Sequence, residues 1–186
     1  MIFNSIEFAI FLPIIFLIYW SIPNKFRLAQ NTTLLIASYF FYGWWDVRFL
    51  SLIFFSSCID FLIGRLLVNS KYISYKKYLL SISIIVNLGL LGFFKYSNFF
   101  IESFVDAYSF FGSSIEVSRL SIILPVGISF YTFQTMSYTI DIYRDKINPS
   151  TSIIDFFTFV SFFPQLVAGP IERASNLLPQ FHKTRI

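Results

Sequence analysis

The stretch Phe162–Ala174, FFPQLVAGPIERA, closes an apolar block and decides how the chain is read. The block leading into it runs from Ile153 to Phe163, which is about 16 Å of helix. A bilayer core of about 30 Å needs roughly 20 helical residues. Pro164 then removes a backbone N–H and crowds the turn before it. Gly169-Pro170 adds a second break. Broken backbone survives at membrane depth only where protein or a water-filled cavity satisfies it. One reading makes Pro164–Arg173 a re-entrant segment inside the protein. Freed carbonyls, Gln165, Glu172 and Arg173 would then converge on a polar pocket. The other reading is a plain helix end at the interface, with a solvated Glu172-Arg173 pair. Spacing alone leaves both open.

The surrounding composition favours a membrane. Of 186 residues, 56% are hydrophobic, 22% aromatic and only 13% charged. Soluble domains carry about 25% charged residues. Mean hydropathy is +0.68. The net charge of +4 comes from basic residues in short loops, so no nucleic-acid partner is expected. The lone Cys58 cannot form an intrachain disulfide and reads as a small buried hydrophobe. The first apolar run carries Glu7 and lacks both a basic n-region and a small-residue cleavage site. It is expected to be a retained span.

Apolar blocks lie at Ile2–Ile22, Thr32–Trp45, Phe49–Leu67, Tyr78–Phe94, Ile122–Ile142 and Ile153–Gly169. The aromatic segment Ser97–Phe111, interrupted by Glu102 and Asp106, reads as a lateral interfacial helix. The expected fold is all-α: a polytopic transmembrane bundle of about five to six spans plus interfacial and re-entrant helices. Residues 1–186 would form a single membrane domain, with the re-entrant motif at 162–174. If the blocks alternate, Lys25, Arg27, Arg65, Lys71, Lys76, Lys77, Arg144 and Lys146 share one side, against Arg48, Lys95 and Arg119 on the other. The positive-inside rule then places the N-terminus outside. Tyr19-Trp20, Tyr42 with Trp44-Trp45, and Tyr143 read as an interfacial aromatic belt.

Polar residues within the blocks should face protein or water. Ser56, Asp60 and Gly64 recur at four-residue steps and share a helix face. Asp60 is either a cavity-lining carboxylate or a structural partner of a nearby Arg or backbone amide. Gly127, Tyr131, Gln134, Tyr138 and Asp141 form one stripe at steps of four, three, four and three. Such a stripe lines a channel or binds neighbouring helices.

Catalytic equipment is sparse. No glycine-rich phosphate loop, metal-ligand cluster or redox cysteine pair is present in the sequence. The single histidine, His182, reads as a solvated residue in a terminal segment rather than a base. The residues alone therefore reach a polytopic protein with an internal polar cavity, and no reaction.

Several stretches add a resemblance. MIFNSIEFAIFLPIIFLIYW opens the chain, SYFFYGWWDVRFL spans Ser38–Leu50, and DFLIGRLL spans Asp60–Leu67. FFKYSNFF at Phe93–Phe100, LPVGISFYTFQTMSYTIDIYR at Leu124–Arg144 and FFPQLVAGPIERA follow in order. Together they resemble the membrane-bound O-acyltransferase family, in the branch of the alginate O-acetylation protein. The resemblance implies helices around a tunnel, and transfer of an acyl group, commonly acetyl, to a hydroxyl of an extracytoplasmic polysaccharide. It implies an acetyl-CoA or other acyl-thioester donor, with no covalently bound cofactor and no metal. It also implies contact with membrane lipid, a periplasmic or membrane partner protein, and residence in the bacterial inner membrane.

By resemblance, Pro164, Gln165, Ala168, Gly169, Pro170 and Arg173, with Tyr131, Gln134, Tyr138, Asp141 and Arg144, shape the core near the tunnel. The family's catalytic histidine lies further along, and His182 does not match it. The chain thus reads as the N-terminal part of such an enzyme, expected to be inactive without the missing C-terminal half. The competing expectation is a non-enzymatic transporter, channel or assembly module.

Overall fold

A computed structural model describes residues 4–110 and 124–183. Among these residues every regular element is helical, which bears out the all-α expectation. Ile2, Phe111, Arg119 and Ile122, each used in the reading above, lie outside the described residues.

Helix α1 covers Ile6–Ser21, and Ser5 Oγ caps it by accepting the Phe8 N–H at 3.3 Å. Its sides are apolar all round, and Phe11 is its one fully buried residue. A short 3₁₀ turn at Asn24–Phe26 then leads into α2, Arg27–Gly43, across a bend of 107°. Helix α2 buries Gln30, Asn31, Ala37, Ser38, Phe41 and Tyr42. Helix α3, Arg48–Leu67, is apolar over twenty residues and reaches across a bilayer core.

Helix α4, Lys76–Phe110, runs unbroken for 35 residues, about 52 Å. This corrects the expected division into a span ending at Phe94 and a separate interfacial helix from Ser97. Lys95 does not end the helix. It stays within α4, with its ammonium 3.3 Å from Ser129 Oγ. Among the described residues, two helices are long and apolar enough to cross a membrane, or three if the bent α1–α2 pair counts as one span.

Helix α5, Ile128–Tyr143, starts after Gly127, which holds φ +76°. An added Cβ there would lie 3.1 Å from the Leu166 carbonyl, so glycine suits both the turn and the close approach. The last three helices are short: α6 at Ile153–Ser161, α7 at Phe163–Ala168 and α8 at Ala174–His182. Helix α2 packs on α6, α3 lies against α4 and α5, and α8 closes over α5 and α6.

The close crossing of α3 and α5 is set by Gly64. A Cβ there would meet the Tyr138 ring at 2.6 Å. Tyr138 instead lies flat in that space, packs on Phe156 at 4.5 Å between centroids, and accepts the Ser150 N–H at 3.0 Å. Lys76 pairs with Asp145 at 3.7 Å and Arg27 with Asp155 at 3.6 Å. These links gather the start of α2, the start of α4 and the α5–α6 loop at one end of the bundle.

Candidate functional site

The break that opened the reading is built into the core. Helix α6 stops at Ser161, Phe162 turns the chain with ψ 103°, and α7 resumes at Phe163. Pro164 sits in the first turn of α7, where a missing N–H costs nothing. Side chains meet backbone groups on both sides of the break. Phe163 N–H donates to Ser38 Oγ at 3.2 Å. The Phe159 carbonyl accepts from Gln134 Nε2 at 2.7 Å. The same Nε2 donates to Gln165 Oε1 at 3.0 Å, and Gln165 Nε2 donates to the Pro170 carbonyl at 3.0 Å. Two glutamine amides thus stitch α5, α6, α7 and the segment after it. Gly169 is required there, because a Cβ would fall 2.8 Å from Gln165 Cα.

The interior half of the re-entrant reading therefore matches the structure, and the pocket half needs correction. Gln165 is buried at 8% exposure, and Ala168 ends α7. Glu172 is only half-buried and Arg173 is exposed. Arg173 forms the N-cap position of α8 instead. The freed carbonyls are consumed by amides and do not converge on these two charges. Pro164 and Pro170 face outward.

The α5 stripe points inward. Tyr131, Gln134 and Tyr138 are 0–1% exposed and Asp141 is 5% exposed. Arg144 is exposed at the C-terminal cap. Tyr131 Oη has no hydrogen-bond partner among the described residues. Ser137, one position off the stripe, accepts the Ala174 N–H at 3.1 Å and so holds the start of α8. Tyr42, read from sequence as part of the aromatic belt, is 5% exposed and donates to the Val126 carbonyl. Its hydroxyl reaches the turn before α5, so it serves the core and not the headgroup level. Trp44 and Trp45 do remain outward, about half exposed.

Asp60 has no Arg partner, contrary to the pairing considered above, and no backbone amide. Its Oδ1 accepts from Ser83 Oγ at 2.5 Å and its Oδ2 from Asn87 Nδ2 at 2.7 Å. Asn87 Oδ1 in turn accepts from Ser56 Oγ at 2.8 Å and Thr135 Oγ1 at 3.2 Å. Ser83 Oγ lies 3.0 Å from Thr139 Oγ1. The sequence signal for these partners was present: Ser83 and Asn87 are four apart in α4, as are Thr135 and Thr139 in α5. Pairing across 23 to 56 residues is what spacing cannot show.

His182 is not a solvated terminal residue. It ends α8, its side chain is 36% exposed, and its Nδ1 is 3.0 Å from Asp155 Oδ2. Arg27 Nη2 faces the same oxygen at 3.6 Å, and Arg27 Nη1 donates to the His182 carbonyl. Asn31 Nδ2 donates to Asp155 Oδ1 at 2.7 Å and to the Phe181 carbonyl at 2.9 Å. Asp155 is fully buried in the first turn of α6, where the helix dipole favours a negative charge. Sequence reading missed this cluster, since its members lie in three helices. Apolar grooves of about 590 and 640 Å³ flank α2, along α1 and α3 respectively. The buried polar residues described above lie outside them.

Comparison with known proteins gives this geometry a setting. Over 99% of its length the chain is 40% identical to "Probable alginate O-acetylase AlgI" of Pseudomonas aeruginosa, covering 35% of that protein. The protein of the same name from Azotobacter vinelandii is 38% identical over 99% of the chain, which covers 37% of it. The chain is homologous to the N-terminal part of the alginate O-acetylases. A "Peptidoglycan O-acetyltransferase" of Helicobacter pylori is 35% identical over 97% of the chain, with 38% of that relative covered. The chain thus spans little more than a third of the length of these O-acetylase relatives. No family model and no solved structure matches it. The homology bears out the resemblance drawn from the motifs.

Proposed function

We propose that the chain forms the N-terminal wall of a membrane O-acetyltransferase that acts on an extracytoplasmic glycan. The observation that carries the proposal is 40% identity over nearly the whole chain to an alginate O-acetylase. The acceptor would be a hydroxyl of alginate, a capsule, an O-antigen or the peptidoglycan glycan. The donor would be acetyl-CoA or another acyl thioester from the cytoplasm. The acceptor oxygen attacks the thioester carbonyl, the carbon–sulfur bond breaks, and the acceptor proton passes through a base to the departing thiolate. That chemistry needs a base and donors for the oxyanion.

Residues 1–186 supply the wall in this proposal. The stitched α6–α7 turn and the α5 stripe hold broken backbone in the protein interior, as a tunnel through a membrane requires. His182 is committed to Asp155 at the bundle end, so the base is assigned to sequence beyond these residues. Helices α1, α2 and α5 would cross beside α3 and α4, which with α6–α7 gives about five to six crossings. The N-terminus would be outside the inner membrane, with the Lys25, Arg27, Lys76 and Lys77 end in the cytoplasm. A separate periplasmic or membrane protein would present the glycan.

The test is acetyl transfer from acetyl-CoA to glycan in membranes that contain only this chain, and in membranes that add the remaining two thirds of an O-acetylase relative. The proposal expects turnover only in the second case. Turnover by the chain alone that disappears in His182→Ala would overturn the assignment of the base.

A further inference from the structure

We propose that the basic corner around the Lys76–Asp145 ion pair is a docking surface for anionic phospholipid headgroups. The two helices long and apolar enough to cross a membrane, α3 and α4, meet here. The 3₁₀ segment Ser70–Tyr75 joins them and packs against both. It starts three residues after α3 ends, so this corner lies at headgroup depth when α3 spans the bilayer. Lys76 opens α4 and reaches Asp145 at 3.7 Å in the loop after α5. That pair draws Lys77 on one side toward Arg144 and Lys146 on the other. Lys71 lies in the 3₁₀ segment, and Arg65 in the last turn of α3.

Charge and shape together select the partner. Arg65, Lys71, Lys77, Arg144 and Lys146 are exposed, and none has a carboxylate within ion-pair distance among the described residues. Asp145 is taken up by Lys76, and Asp141, the other carboxylate at the end of α5, is buried at 5% exposure. Arg65 and Lys71 rest instead on aromatic rings, 5.3 Å from the Phe61 centroid and 5.6 Å from that of Tyr72. Like charges gathered without counter-ions attract an anionic surface. A soluble acidic ligand would account for the charge alone. The apolar groups between the cations decide for lipid: Ile73, Tyr75 and Tyr78 are 58–70% exposed. Rings and long basic stems of this kind settle at the boundary between headgroups and acyl chains. Clusters of about four to eight basic residues beside a membrane helix bind anionic lipid, at roughly a fivefold gain per residue. The bias of Lys and Arg toward one side needs only a count along the chain. The fold adds that these five converge on one corner, without acids and among exposed rings. Binding here needs no acetyl transfer, so it stands or falls apart from the proposed function.

The test uses the full chain in neutral detergent micelles, with phosphatidylglycerol or phosphatidylcholine added at equal mole fraction. The expected result is a thermal midpoint roughly 3 °C or more higher with phosphatidylglycerol. The difference should shrink in about 1 M salt, where screening is strong. The triple variant Lys77→Gln, Arg144→Gln, Lys146→Gln changes only exposed side chains. It should bind phosphatidylglycerol about 100-fold less tightly, so that the difference disappears. Lys95→Gln, about 28 Å along α4 from Lys76, should leave the difference intact. Equal midpoints in the two lipids would overturn the surface. So would an undiminished difference in the triple variant, or an equal loss in Lys95→Gln. A rise of the same size given by coenzyme A in phosphatidylcholine micelles, and abolished by the same triple variant, would assign the corner to a soluble phosphate ligand, which also overturns it.

Discussion

Among the described residues two carboxylates are completely buried, and they are compensated in different ways. Asp155 lies at the end of the bundle, in the first turn of a helix, facing Arg27, His182 and Asn31. Arg27 and His182 are each about one-third exposed, so they can reach water while touching it. Asp60 lies well inside α3 and is met by the neutral groups Ser83, Asn87 and Thr135. The contrast follows from depth. A long cationic side chain such as Arg27 can bend to a bundle end and keep its charge wet, but no such route serves a carboxylate in mid-helix. The end cluster therefore acts as a clasp across α2, α6 and α8, whereas the inner cluster is a polar core of neutral donors.

The largest expected effect tests the clasp. Asp155→Ala removes the carboxylate that accepts from Asn31 and leaves Arg27 without its counter-ion. The expected loss is about 3 kcal/mol, or roughly 6–12 °C in the thermal midpoint. A loss no greater than that of an average surface change would mean the cluster holds nothing together. Next comes the neutral counterpart at the α6–α7 turn. Gln134→Leu orphans the buried Phe159 carbonyl, at a cost of about 2 kcal/mol, and Gln165→Leu, whose backbone partner Pro170 is exposed, should cost about 1 kcal/mol. Because the two amides share one bond, the double variant should lose less than the sum, which a thermodynamic cycle measures directly.

Asparagine separates the two acids more sharply than alanine. Asp60→Asn should change stability by less than about 1 kcal/mol, since neutral donors can bond an amide oxygen. Asp155→Asn should cost about 2 kcal/mol, because Arg27 loses its counter-charge. Equal losses at both positions would erase the distinction.

The smallest effect lies in the exposed loop between α2 and α3. Arg48 donates to Asp46 through its side chain, at 2.6 Å from Nη2, and through its backbone N–H, and these bonds hold the carboxyl below its usual range. A lowered folded value gives stability above the unfolded carboxylate range that is lost as pH falls through the folded value. Asp46→Asn should therefore differ from the parent at every pH above the carboxylate range and converge with it in acid, and only slightly, because the pair is solvated. Thermal midpoints of both chains across a pH series would show it.

What the sequence disclosed follows the same physical line. The short α6 and its break were legible because Pro164 and Gly169-Pro170 are local signals that act through covalent geometry. The inward faces of α3 and α5 were legible because polar residues in an apolar helix must repeat at helical steps to share one face. The unbroken length of α4 was not, since Lys95 and Ser97 look like a boundary until the helix is seen to carry them on its side. Ser97 Oγ simply donates to the Phe93 carbonyl one turn back. Nor were the partners of Asp155 and Asp60 legible, because they come from other helices. Tyr42 misled for a related reason: a tyrosine near a helix end has the same local pattern whether its hydroxyl meets a headgroup or a distant carbonyl.

The central claim is that this bundle belongs to an enzyme that esterifies a glycan outside the cytoplasm. The most direct measurement is the acetate released by mild alkali from the extracytoplasmic polysaccharide and peptidoglycan of the host cell. It is compared with the gene intact, deleted and resupplied. The account predicts that ester-linked acetate on one of these polymers disappears on deletion and returns on resupply. Unchanged acetate on every such polymer would contradict it.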